Sequence, residues 1–178
     1  MTEVGDESQR VAAVNALLRR GDELRGLGRV PEAVAIYDGM IERYARDYSP
    51  AASRHVAAAL ALKAFALRGQ VSPEREIEIL DELLVRYADT TDTDIRRRLA
   101  HALARKGTLL NKIGRPSEAR TVWMGLLEHF QLGESPDIDA QIGSVRQAIS
   151  DLDRGRFSLL VAKTLRPLLR RLTKLWGE

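Results

Sequence analysis

Three histidines, His55, His101 and His129, are the side chains of this 178-residue chain best suited to proton transfer near neutral pH, and none is paired with a carboxylate or a second histidine at metal-ligand spacing. There is no cysteine, which removes disulfides, thiolate metal ligation and a cysteine nucleophile together. The segment ADTTDTD brings Asp89, Asp92 and Asp94 close in sequence, but the glycine and closing glutamate of a calcium-binding EF-hand loop are missing. Helix capping accounts for it better, with Asp92 or Thr93 standing just before an apolar periodicity. Asp137 with Asp139, and Asp151 with Asp153, follow the same logic. Neither HExxH nor GxSxG occurs, and Gly21, Gly26 and Gly28 lack the lysine and hydroxyl residue of a phosphate loop. The expectation is no catalytic residue, no metal and no cofactor: the chain does not read as an enzyme.

Composition narrows the class further. Hydrophobic residues at 44% with charged residues at 30% fit one soluble domain, and aromatics at only 5% argue for an all-α core rather than a β-sandwich. Basicity is local: residues 1–154 hold 22 basic and 24 acidic side chains, residues 155–178 hold 6 basic and 1 acidic. A nucleic-acid partner is therefore not expected, since phosphate binding needs cations gathered on one surface of the domain. The start MTEVGDES is acidic where a secretory signal is basic and apolar, and no apolar run approaches the ~20 residues of a membrane span. A cytoplasmic protein is expected, membrane-peripheral in the alternative reading.

The elements follow from periodicity and punctuation. Residues 1–7 read as a flexible start. Val11, Val14, Leu17, Leu18, Leu24 and Leu27 then mark a helix over 8–27, ended by the turn Gly26–Pro31. Val34, Ile36, Tyr37, Met40, Ile41 and Tyr44 face one side of the second helix. Ser49-Pro50 opens the third, with its alanine-rich run AALALKAFAL, and Ser72-Pro73 the fourth, with Glu74 and Glu76 against the positive helix end. The fifth runs to Lys112 or Ile113, the sixth carries Val122, Trp123, Leu126, Leu127 and Phe130, and Ser135-Pro136 opens a seventh, to about Leu152.

A step of 43 residues aligns these helices without a gap. It superimposes Leu24, Leu67 and Leu110; Tyr37, Leu80 and Trp123; Ile41, Leu84 and Leu127; and the closing aromatics Tyr44, Tyr87 and Phe130. Small residues twelve apart, Gly21 with Ala33 and Gly107 with Ala119, allow close helix approach and are followed four residues later by bulky Tyr37 and Trp123. With LGRVPEA and IGRPSEA as inter-helix turns, residues 14–131 resemble the tetratricopeptide repeat, and 136–152 are similar to that family's solvating cap helix. The chain departs from the pattern at Leu17, Leu60 and Leu103, where the family often has tryptophan, at Arg20, Lys63 and Lys106, where it usually has leucine, and at Glu76, which stands at the small position. The resemblance implies a right-handed α-solenoid of three antiparallel helix pairs over 8–152, a scaffold that binds another protein's peptide or helix.

By the same resemblance the first helix of each pair lines a concave groove. The groove positions are then Asn15, Leu18, Asp22 and Arg25; Ala58, Ala61, Phe65 and Arg68; and His101, Ala104, Thr108 and Asn111. The family's carboxylate clamp of lysines and asparagines is not reproduced. Beyond the repeats, residues 153–178 form a basic amphipathic helix: Val161, Leu165, Leu168, Leu172 and Leu175 make one stripe opposite Lys163, Arg166, Arg170 and Lys174, with Arg171 and Trp176 nearby and Pro167 toward the polar side. Three roles are open to it: a lid over the groove, an anchor on an anionic membrane surface, or a seam with a partner helix or a second copy in a homodimer.

Overall fold

The computed structural model describes the backbone of residues 3–175 and the side chains of residues 9 and 11–155. The protein is all-α. Among the described residues there are seven helices and no strand: α1 (Glu3–Gly26), α2 (Val30–Arg43), α3 (Pro50–Ala66), α4 (Pro73–Arg86), α5 (Thr93–Lys112), α6 (Pro116–His129) and α7 (Pro136–Leu175). Two boundaries differ from expectation. Helix α1 starts at Glu3, not residue 8, consistent with acidic residue types at a helix N-terminus. Helix α7 does not stop near Leu152 but runs to Leu175, so the division between cap and tail falls inside one element. Nothing there can end a helix: Gly155 has no positive φ, and an interior glycine costs only about 1 kcal/mol.

Caps set most of the helix starts. The Ser49, Ser72 and Ser135 hydroxyls accept the amides of Ala52, Arg75 and Ile138 at 3.3, 3.3 and 3.2 Å. Asp92 accepts those of Asp94 and Ile95 at 3.0 and 3.1 Å, and Arg54 donates to its other oxygen at 2.6 Å. Helices α2 and α6 begin differently, each behind a tight turn. Gly28 and Gly114 take φ of 75° and 80°, and the amides of Arg29 and Arg115 reach back to the carbonyls of Leu24 and Leu110 at 2.8 and 2.9 Å. Arg29 then pairs with Glu32 and Arg115 with Glu118. The same turn is thus built twice, two 43-residue steps apart.

Burial follows the same interval. Tyr37, Leu80 and Trp123 are all buried, as are Met40, Leu83 and Leu126. Gly21 and Gly107 are buried where the rings of Tyr37 and Trp123 cross α1 and α5: a Cβ at Gly21 would lie 2.6 Å from Tyr37 Cε1, and one at Gly107 would lie 2.2 Å from Trp123 Nε1. Helix α3 sits between two apolar clusters, giving Val56, Ala57, Leu60 and Ala64 to the larger and Ala59 and Ala66 to the smaller. Its alanines keep it thin enough to be packed from both sides.

The two rings differ in one respect. Trp123 Nε1 donates to the Ala104 carbonyl at 3.2 Å, whereas the buried Tyr37 hydroxyl has no hydrogen-bond partner among the described residues. Tyr37→Phe removes an unsatisfied group without changing the ring, and should stabilise the fold by about 1 kcal/mol, read as a rise in the urea midpoint at constant slope.

Contacts run in a fixed order. Each helix packs on its neighbour in sequence, and α1, α3, α5 and α7 also touch one another in succession, while α2, α4 and α6 do not meet. Two lysines join neighbouring helices: Lys63 on α3 pairs with Asp38 on α2 at 2.6 Å, and Lys106 on α5 pairs with Asp81 on α4, one 43-residue step later.

Candidate functional site

Helix α5 places Arg98, His101 and Arg105 on one face, at i, i+3 and i+7. That face looks into a cavity of about 330 Å³ between α3, α4 and α5, whose apolar walls include Ala61, Leu62, Leu80 and Leu83 and whose rim carries Phe65 and Arg68. A second cavity shares Arg68, His101 and Arg105 and continues along Ala104 and Thr108 to Gln141 and Ser144 of α7. The two cavities adjoin at these three shared side chains and are together called the channel, with α4 contributing Glu76, Leu80 and Leu83 to the first and α6 contributing Trp123 to the second.

One charged side chain is fully buried there. Glu76 stands at the position filled by Ala33 and Ala119 in the other units, is 2% exposed, and accepts two parallel hydrogen bonds from Arg105, at 2.6 and 2.8 Å. Outside that pair the channel is cationic. Phe65, 42% exposed, has two guanidinium groups over its ring, Arg25 at 4.5 Å and Arg68 at 4.8 Å from the ring centre. Arg25 is also held by Asp22 at 2.9 Å. Burial lowers the pKa of both Arg68 and Arg98, helped for Arg68 by Arg105 and for Arg98 by Arg97. Neither has an ion-paired carboxylate among the described residues.

Of the groove positions named from sequence, Ala61, Phe65, Arg68 and His101 line the first cavity, and Arg68, His101, Ala104 and Thr108 the second. Asp22 and Arg25 join them through Phe65. Ala58 is buried packing, and Leu18 packs on the smaller core cluster. Asn15 and Asn111 are exposed and line neither cavity. Sequence reasoning missed Arg98, Arg105 and Glu76. The spacing of Arg98 and Arg105 about His101 was the available signal. Lys163, Arg166, Arg170, Arg171 and Lys174, expected to contact a membrane or a partner, have side chains outside the described residues, and Trp176 lies outside them altogether; α7 itself reaches Leu175.

His101 links this site to pH. Burial depresses its pKa, with Arg97, Arg98 and Arg68 acting in the same direction and Asp137 opposing; His55 is depressed by burial and by Arg54. A depressed histidine binds its proton less readily folded than unfolded. Its stabilising effect is thus complete above the unfolded value near 6.5 and is lost as pH falls through the folded one. Urea unfolding should show stability decreasing from pH 7 toward pH 5, and His101→Asn should flatten part of that slope.

Among the described residues no group of histidines and carboxylates could hold a metal ion, and no helix is long and apolar enough to cross a membrane. No protein-family model matches the chain, and neither a curated protein nor a solved structure matches it significantly.

Proposed function

We propose that the chain is a tetratricopeptide-like solenoid of three helix pairs acting as a cytoplasmic protein-interaction scaffold, with a partner's peptide or helix lying along the row α1, α3, α5. One observation carries this reading: the odd-numbered helices touch in succession, and two cavities that share Arg68, His101 and Arg105 open beside them with Phe65 exposed in the first, while the even-numbered helices stay apart. Such a channel suits an extended or helical segment, and a rigid wall limits the entropy lost on association. The test is photo-crosslinking of the full chain, with a reactive residue at Phe65 or Thr108 on the channel or at Val85, 79% exposed on α4. A partner joined through the channel positions and not through Val85 supports the reading; capture through Val85 alone overturns it.

A second reading has its own support, the continuation of α7 as helix to Leu175, which gives the basic apolar-striped segment the form a membrane surface would receive. Sedimentation with phosphatidylserine vesicles should weaken in a Lys163→Glu, Arg170→Glu variant; equal sedimentation removes the anchor. The lid reading loses support on charge, because a tail with six cations would cover a channel that already holds Arg68, Arg98 and Arg105.

A further inference from the structure

We propose that the channel takes an acidic segment of the partner protein, its carboxylates seated on Arg68 and Arg98 and its apolar side chains in the cavity between α3, α4 and α5. This rests on the channel being the docking surface and names the chemistry it selects.

The charge inventory points one way. Three arginines and one carboxylate line the first cavity, and the second has Arg68, Arg105 and no carboxylate. Glu76 is one negative charge against three positive ones, and both its oxygens accept from Arg105. Most arginines on this fold have a carboxylate within reach, as Arg54, Arg96, Arg97 and Arg120 do. Arg68 and Arg98 have no ion-paired carboxylate among the described residues: Glu76 acts on Arg68, and Asp94 and Asp92 on Arg98, only at longer range, and the pKa of both is lowered, by burial first. A guanidinium at a cavity mouth with no ion-paired carboxylate, exposed at Arg68 and half-buried at Arg98, gains charge-assisted hydrogen bonds and charge balance from an incoming carboxylate.

Geometry adds to charge. Arg68 is braced by the face of Phe65 rather than by an ion pair, and its side-chain N–H groups have no hydrogen-bond partner among the described residues. Ala61, Leu62, Leu80 and Leu83 beside it provide an apolar wall where an aliphatic or aromatic side chain can be buried. An alternation of acidic and apolar residues satisfies both surfaces. A bare phosphate or a polyanion would leave the apolar wall wet.

The test uses the full chain and three fluorescein-labelled 16-residue peptides with leucine at every fourth position, the rest being glutamate, glutamine or lysine. Anisotropy should show the glutamate peptide binding at least tenfold more tightly than the other two, and weakening as salt rises from 50 to 300 mM. Arg68→Gln should weaken it about tenfold and Arg98→Glu more, with Arg46→Glu, an exposed cation outside the channel, as the control. Arg68 is exposed, so Arg68→Gln decides the question even if Arg98→Glu fails to fold. Unchanged affinity in Arg68→Gln, or equal binding of the glutamine peptide, overturns the proposal. If the lysine or glutamine peptide alone binds, or none does, the acidic preference falls, while crosslinking at Phe65 or Thr108 would still uphold the channel as a docking surface.

Discussion

Alanine at Gly107 is expected to lower the unfolding free energy by about 2 kcal/mol, even though alanine is the better helix former by about 1 kcal/mol. The added methyl would sit 2.2–2.6 Å from three atoms of the Trp123 indole, a rigid ring that is 2% exposed and tethered by its N–H to the Ala104 carbonyl. The ring has no free end to swing aside, so α5 and α6 must separate. Removing the ring instead, as Trp123→Ala, should cost about 4 kcal/mol through the cavity it leaves. The informative variant is the pair Gly107→Ala with Trp123→Leu. One 43-residue step earlier the chain itself holds that combination, Ala64 against Leu80, both buried. The double variant should therefore lose less than the sum of its single changes, by at least 1 kcal/mol in a double-mutant cycle of urea midpoints. Strict additivity would mean that the glycine and the ring do not act on each other.

That example shows what the sequence made legible. Size complementarity between Gly21 or Gly107 and the ring sixteen residues later is a local property of spacing, and it appears unchanged in the packing. Helix starts were readable for the same reason, since Ser49, Ser72, Asp92 and Ser135 each bond amides two or three residues away. The site was less legible. Phe65, Arg68 and His101 were expected on one surface only through the resemblance to a repeat family, and Arg105 and Glu76 are brought together across 29 residues by a buried ion pair that nothing in either local sequence announces. The end of α7 was misplaced because the break at Leu152 rested on where the repeat pattern stops, and a helix ends only where its backbone finds another partner or a residue that cannot continue it.

Glu76 gives the second large effect. Glu76→Ala should cost about 3 kcal/mol: breaking a buried pair typically costs 3–5 kcal/mol, and the 26% exposure of the Arg105 side chain lets it recover part of its hydration. Arg105→Leu alone should cost at least as much, because it leaves the carboxylate, 3% exposed, with no partner of its own. Together the two changes should come within about 1 kcal/mol of the parent, since they reproduce at α4 and α5 what the chain already has at α2 and α3, where Ala33 and Leu62 share an apolar cluster. The double variant also separates fold from function. It removes one positive and one negative charge from the channel and leaves Arg68 and Arg98 in place, so affinity for the glutamate peptide should stay within about threefold if those two arginines are the anchors. A tenfold loss in a double variant that remains as stable as the parent would instead assign the carboxylate to Arg105, with Glu76 as the group that orients it.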